Sequence, residues 1–182
     1  MRQDIQRSLR AGHIVKVWRE RIDQHPVIGY IVQASDELVL VHMMDDGIRL
    51  DGYSVMRFKD ITEIEQNPQY RGFYERALQL RKQSPNIPRA LLLHDLSVSL
   101  RSINENYPIM SIERETLAPG KCGVGKLHMV TESTVILKVM TPGARWEGYS
   151  RRYRLADITR IEFDTSYLRA LALVTSSRGR RG

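Results

Sequence analysis

Cysteine is almost absent from this chain of 182 residues, which contains only Cys122. A single thiol excludes an internal disulfide and every zinc site built on several cysteines. Long apolar runs are missing too, since none approaches the roughly 20 residues that a membrane-spanning helix needs. The first ten residues, MRQDIQRSLR, include no apolar signal segment. These absences predict a cytoplasmic protein in a reducing compartment with no membrane partner.

Catalytic and cofactor signatures are also missing. No serine stands in the Gly-x-Ser-x-Gly setting of a hydrolase nucleophile. The histidines are scattered, and no pair of them has the spacing of a metal site. They are His13, His25, His42, His94 and His128. We therefore expect neither an enzyme nor a bound metal or cofactor.

One segment, Gly120 to Lys126, matches the spacing of a phosphate-binding loop. Such a loop requires a strand before it, a helix after it, and Ser or Thr directly after the lysine. Here Leu127 follows the lysine, and the next ten residues have the composition of strands. The match is therefore interpreted as accidental, with no nucleotide bound.

The strongest pattern is an internal repeat. Residues 29–54 align with residues 125–150 at an offset of 96, with eight of 26 positions identical. After one inserted residue, residues 57–70 align with residues 154–167, with seven of 14 identical. Unrelated segments of this composition would share roughly two or three identities over the same length. The chain is therefore predicted to be a duplication of one module.

Each module is predicted to contain a short helix, about five strands and a trailing helix. Short runs of β-branched and long apolar residues, such as Leu38–Met44, alternate with turn signals such as Asp45-Asp46-Gly47. Gly12 is a predicted helix C-cap and Asp95 a predicted N-cap. The predicted organisation is a first module at 1–83, a linker at 84–88, a second module at 89–175 and a disordered basic tail at 176–182.

A short helix followed by five bent strands in about 60 residues resembles the Sm-like fold, a small SH3-like barrel. The resemblance lies in a glycine, an apolar residue two positions later, an acid, and then an apolar strand. In this chain the pattern reads Gly29, Ile31, Asp36 and Leu38–Val41, and again Gly125, Leu127, Glu132 and Val135–Leu137. It implies a mainly β chain with flanking helices, in which two five-stranded barrels stand in tandem.

The resemblance also implies RNA binding, but one signature of that family differs. Sm-like RNA binders carry an Arg-Gly or Lys-His pair in the turn between the last two strands. This chain has Phe58-Lys59-Asp60 and Leu155-Ala156-Asp157 at those turns. The resemblance therefore does not indicate which residues bind RNA, and the charge pattern is the remaining guide to a binding site.

The net charge of +7 is unevenly divided. Residues 13–66 contain six Lys/Arg and ten Asp/Glu, whereas residues 109–165 contain nine and seven. Interleaved basic and aromatic residues suit single-stranded nucleic acid, because rings stack on bases and cations contact phosphates. The candidate nucleic-acid-binding residues all lie in the second module: Lys126, Arg145, Trp146, Arg151, Arg152, Tyr153 and Arg154.

Two functions remain open at this point. The first is a non-enzymatic protein that binds single-stranded RNA or other nucleic acid through the basic second barrel. The second is a protein-interaction or scaffolding module, whose barrels pair through edge strands and which forms a homo-oligomer. A solvated barrel face, with cross-strand pairs to Glu147 or Glu162, is the simpler interpretation of the basic cluster.

Overall fold

A computed structural model describes residues 1–178, and the chain divides into two compact units at Pro88. Its class is mainly β with flanking helices, as predicted. The elements of the first unit are α1 (Arg2–Ala11), β1 (Val15–Arg19), β2 (Asp23–Ala34), β3 (Leu38–Met44), β4 (Leu50–Arg57), β5 (Glu63–Glu65) and α2 (Arg71–Leu80). Those of the second unit are α3 (Leu96–Asn106), β6 (Met110–Glu113), β7 (Cys122–Val130), β8 (Thr134–Met140), β9 (Trp146–Arg154), β10 (Arg160–Phe163) and α4 (Ser166–Arg178).

The predicted helix ends are confirmed at both module starts. Gly12 ends α1 in the left-handed conformation, with φ of 60°, and its N–H donates to the Ser8 carbonyl at 2.9 Å. Asp95 begins α3, where one carboxylate oxygen accepts from the N–H groups of Ser97 and Val98 at 2.8 and 2.9 Å. Local capping chemistry therefore sets both boundaries.

Both units have the same strand order. It is β5-β1-β2-β3-β4 in the first unit and β10-β6-β7-β8-β9 in the second, with antiparallel pairing throughout each unit. The two five-stranded barrels predicted from the sequence are not confirmed, because within each described unit the two outer strands do not pair and the sheet stays open. Closure depends on how far the sheet curls and on strand stagger, which a residue pattern does not specify.

Backbone irregularities recur at equivalent positions of the two units. The β2–β3 register shifts between Ile31 and Gln33, and the β7–β8 register shifts between Leu127 and Met129, 96 residues later. A second matched pair of shifts lies in β3–β4 and β8–β9. Bulges bend strands and increase their twist. The repeated residues therefore encode repeated bends as well as repeated strands.

Two of the repeated glycines are required by close backbone contact. A Cβ on Gly29 would overlap the carbonyl oxygen of His42, and one on Gly125 would overlap the carbonyl oxygen of Lys138. Any side chain at these points would push neighbouring strands apart.

The repeated hairpin glycines, Gly47 and Gly143, do not carry the positive φ of their turns. The positive φ falls instead on the next residue, at Ile48 (54°) and Ala144 (56°). The turn is nevertheless the same in both units, because Ile48 N–H donates to the Asp45 carbonyl and Ala144 N–H donates to the equivalent Thr141 carbonyl, each at 3.0 Å.

The threonine of the repeated Asp-Ile-Thr turn has a structural role in both units. Thr62 Oγ1 accepts from the Glu20 N–H at 3.2 Å, and Thr159 Oγ1 accepts from the Glu115 N–H at 3.0 Å. The hydroxyl thus satisfies a backbone donor just beyond the end of the neighbouring strand.

The last helix is longer than predicted. Helix α4 continues to Arg178, so the first three residues of the predicted disordered tail are helical. Hydroxyls there donate to carbonyls in the preceding turn: Thr175 to Leu171 at 2.8 Å and Ser176 to Ala172 at 2.9 Å. This back-bonding lets hydroxyl residues continue a helix. Residues 179–182, the rest of that tail, lie outside the described residues.

Candidate functional site

Strand β9 is the most exposed strand of the second unit. It lies at the end of the strand order, paired with β8, and Tyr153 is its only buried residue. In the equivalent strand β4 of the first unit, residues 52–56 are all buried. The Gly-Tyr-Ser sequence that the two strands share is therefore buried in one unit and exposed in the other.

Strand β9 contributes to a cationic sheet surface, which we call the outer face. Lys126 on β7 lies opposite Lys138 on β8, and Lys138 lies opposite Ser150 on β9. Arg152 and Arg154 follow Ser150 at alternate positions, which places them on the same side of the sheet. The four basic side chains of this face are all exposed.

The charges of the outer face are poorly compensated. Lys126, Lys138 and Arg152 form no ion pair with any of residues 1–178. Arg154 has one partner, Asp157, at 3.9 Å, and its side chain is 77% exposed. Exposed pairs of this kind contribute little because water and salt screen them. The outer face therefore presents a positive potential to an anionic ligand.

Aromatic surface lies beside these cations. Trp146 begins β9 and is 37% exposed, and the Lys138 Nζ lies 5.1 Å from the centre of its ring. Arg145, directly before it in the hairpin turn, is exposed. A tryptophan between lysine and arginine offers both the stacking surface and the phosphate contacts that single-stranded nucleic acid requires.

Two predicted site residues lie on the opposite side of β9. Arg151 is in register with Leu137, and Tyr153 is in register with Val135, where both partners are buried. Arg151 is exposed and donates to the Tyr149 hydroxyl at 3.1 Å. The register therefore divides the residues of β9 between two faces, and only one of those faces carries the lysines of the neighbouring strands.

Tyr153 is not available for stacking. It is 5% exposed, the guanidinium of Arg114 lies 5.0 Å from its ring centre, and burial raises the pKa of its hydroxyl. A Cβ on Gly123 would overlap that hydroxyl, so the absence of a side chain on β7 makes room for the ring. Tyr153 is a core residue, and the sequence prediction missed this because it depends on a neighbouring strand.

Lys138 is the main addition that the structure makes to the predicted set. The sequence shows Lys138 as one of the basic residues of the second module but gives no reason to include it in the site. The strand register places it between Lys126 and Ser150, and its ammonium group lies against Trp146. The repeat alignment was the one sequence feature that could have drawn attention to Lys138, because it aligns this lysine with His42 of the first module.

A second charged cluster lies near the start of β10, where one arginine contacts three carboxylates. Arg160 contacts Glu113 at 2.6 Å, Glu115 at 3.3 Å and Glu162 at 3.5 Å. Desolvation and the carboxylates of Glu113 and Glu162 raise the pKa of the nearby Cys122 thiol, which lowers its thiolate fraction. This arrangement joins β10 to β6 and offers no free carboxylate pair for acid–base chemistry.

Other site classes receive no support from the described residues. Within residues 1–178, no group of three or more His, Cys, Asp or Glu is placed to hold a metal ion. None of the helices in that range is both long and apolar enough to cross a membrane. The phosphate-loop match fails its structural test, because Lys126 lies inside strand β7 and a further strand, β8, follows.

Comparison with known proteins gave no relationship. No protein-family model, no curated protein and no solved structure matches this chain.

Proposed function

We propose that the second unit binds single-stranded nucleic acid, RNA in particular, on its outer face and without catalysis. The observation that supports this most directly is the combination of four exposed cations and Trp146 on one side of the sheet that β7, β8 and β9 form. Phosphates provide the missing counter-charges, and bases stack on the indole ring. A cytoplasmic location belongs to the same proposal.

The Sm-like relationship is also part of this proposal. Each unit has a short helix followed by five strands, and the bends of the two units recur at matched positions. This architecture supports a common small-barrel ancestor whose two copies now differ in surface chemistry. Fold similarity does not by itself assign a ligand, so the argument for RNA rests on the outer face.

The decisive experiment is binding of the full chain to a labelled single-stranded RNA across a salt series. Log affinity should fall linearly with log salt, by about 0.7 per phosphate contact. The double variant Arg152→Gln/Arg154→Gln should flatten this slope by about 1.4, since it removes two contacts. The matched control Arg10→Gln/Arg21→Gln removes the same charge from exposed positions of the first unit. Equal effects of the two variants would mean that net charge, and not the outer face, drives binding.

A protein-interaction function is the second candidate, and the open edge of β9 favours it. Unpaired backbone groups along an edge strand can pair with a strand of another chain. Such pairing would produce a homo-oligomer or a complex with a partner protein. Sedimentation over a concentration range tests the homo-oligomer, since edge pairing predicts a mass that rises with concentration.

A further inference from the structure

In the first unit, the chain itself covers the surface equivalent to the outer face. The segment that follows α2, residues 81–87, which we call the strap, begins at the β3–β4 hairpin. Arg81 donates to the carbonyls of Gly47 and Ile48 at 2.6 and 2.7 Å. The side-chain oxygen of Gln83 accepts from the Leu50 N–H at 3.2 Å. The strap is thus anchored at the start of β4.

From β4 the strap continues over β3 towards β2. The Asn86 N–H donates to Nδ1 of His42 at 3.3 Å, and His42 lies at the middle of β3. Pro85, Asn86 and Ile87 then line a cavity of about 210 Å³ together with Tyr30 and Val32 of β2. The strap therefore crosses three strands, β4, β3 and β2.

The positions below the strap correspond to the outer face of the second unit. The register pairs Leu50 with Met44 and Trp146 with Met140, which makes Leu50 and Trp146 equivalent. At the repeat offset of 96, three further pairs follow: His42 with Lys138, Tyr30 with Lys126, and Val32 with His128. Three of these four second-unit residues are basic or imidazole side chains.

The two surfaces differ in burial as well as in charge. Tyr30 and His42 are 6% and 7% exposed, while Lys126 and Lys138 are exposed. Lysines in place of two buried uncharged residues prepare a surface for an anion and make it unsuitable for a strap that contains Arg81 and Lys82 and no acidic residue. The four residues that follow α4, Gly179 to Gly182, include two arginines and no acid, so they bring no complementary charge.

We infer that single-stranded RNA lies across β9, β8 and β7 of the second unit along the path that the strap follows over the first. This inference rests on the proposed function and adds to it the path of the RNA and the number of RNA strands that one chain binds. The path runs from Trp146 past Lys138 to Lys126, a span of about 10 Å for two strand spacings. Because the strap fills the equivalent path of the first unit, one chain has one RNA path.

The choice of RNA over an extended acidic peptide follows from the residues at the two ends of the path. Trp146 offers a ring on which a base can stack. Lys138 and Lys126 each offer a positive charge for one of two successive phosphates. A peptide would instead need an apolar surface such as the one that Tyr30, Leu50 and Val32 form below α2 and the strap in the first unit, and the second unit has replaced these residues.

The test measures binding of a short labelled oligouridine to the full chain and to three variants. Trp146→Ala should weaken binding about 5- to 150-fold, the range for loss of one stacked base. Lys138→Gln should reduce the salt slope by about 0.7. Lys121→Gln, an exposed lysine just before β7, is the matched control and should leave affinity and slope unchanged. Circular dichroism melts confirm that each variant is folded.

Photocrosslinking with an oligomer that contains 5-iodouridine then locates the path independently of any substitution. Crosslinks should fall on the peptide that contains Trp146, and none on residues 28–56 of the first unit. Stoichiometric titration should give one oligomer per chain.

The outcomes separate the path from the function. If the unmodified chain binds no RNA at any salt concentration, or binds an acidic peptide instead, the proposed function itself fails. If it binds RNA but Trp146→Ala and Lys138→Gln have no effect, the path is wrong and the function stands. Two oligomers per chain, or crosslinks in the first unit, also overturn the path, because the strap would then not exclude RNA.

Discussion

His42 should make the stability of the first unit depend on pH, because burial holds its imidazole neutral. It is 7% exposed, stacks on Tyr53 with ring centres 4.4 Å apart, and accepts from the Asn86 N–H through Nδ1. Burial lowers its pKa from 6.5 to about 4, an effect that the nearby Asp51 carboxylate only partly opposes. Protonation removes the acceptor that holds the strap and places a charge in an apolar site.

The sign follows from the two protonation equilibria. Above pH 6.5 the imidazole is neutral in the folded and unfolded chains, and His42 contributes no pH dependence. As pH falls from 6.5 towards 4, only the unfolded chain takes up the proton, so the free energy of unfolding decreases. The gap between the two pKa values corresponds to a loss of about 3 kcal/mol, complete once the pH is below 4.

The assay is urea denaturation at pH 7.5, 5.5 and 4.5, followed by tryptophan fluorescence. The chain has two tryptophans, Trp18 in the first unit and Trp146 in the second, so a Trp146→Phe background reports the first unit alone. His42→Gln in that background keeps a hydrogen-bond acceptor and cannot ionise. The difference between the two curves removes the contributions of all other titrating groups. If both proteins lose stability in parallel between pH 6.5 and 4, the reasoning about His42 is refuted.

Three further predictions concern stability and are tested by denaturation at neutral pH. Arg160→Gln should cost about 3 kcal/mol, because it leaves Glu113 and its neighbouring carboxylates partly buried without their cation; a loss under 1 kcal/mol would mean that water compensates them. Gly125→Ala should cost at least about 1–3 kcal/mol through the clash with a strand carbonyl, whereas Gly148→Ala, which meets open space, should stay within about 0.5 kcal/mol. Asp95→Ala should cost about 1 kcal/mol through the lost N-cap of α3, with Asp95→Asn retaining most of the stability.

Features set by neighbouring residues in the sequence were the most predictable. The bounds of β3 follow directly from the apolar run Leu38–Met44, and Gly12 and Asp95 mark the helix ends where they were expected. Equal spacing in the two modules also predicted equal strand content. These features depend on hydrogen bonds and side-chain preferences within a few residues.

Features that depend on a neighbouring strand were less predictable. The burial of Tyr153 requires the empty space above Gly123, and the role of Lys138 requires its register with Lys126. Both relations cross strands that are more than ten residues apart in the chain. The exposure of β9 likewise could not be inferred from its sequence, since the same Gly-Tyr-Ser is buried in β4. The open sheet reflects strand stagger, which no local signal encodes.

The two arginines in the middle of β9 provide the sharpest test of which surface binds the ligand. Arg151 and Arg152 are adjacent in the sequence and both are exposed. Substituting either one therefore changes the net charge of the protein by the same amount and at nearly the same place in the chain. Their side chains nevertheless point to opposite sides of the sheet, because the side chains of successive residues in a strand alternate between its two faces. Arg152 joins the outer face, whereas Arg151 donates to the Tyr149 hydroxyl on the other side.

Single substitutions therefore distinguish binding to the outer face from a general effect of net charge. Arg152→Gln should flatten the salt slope of RNA binding by about 0.7, and Arg151→Gln should leave it nearly unchanged. Both variants should keep the melting temperature of the parent, since each replaces an exposed side chain. Equal losses of slope would show that the ligand wraps around the edge of β9 and contacts both sides. A loss confined to Arg151→Gln would move the site to the side of Tyr149, and the outer face would then be an ordinary solvated surface.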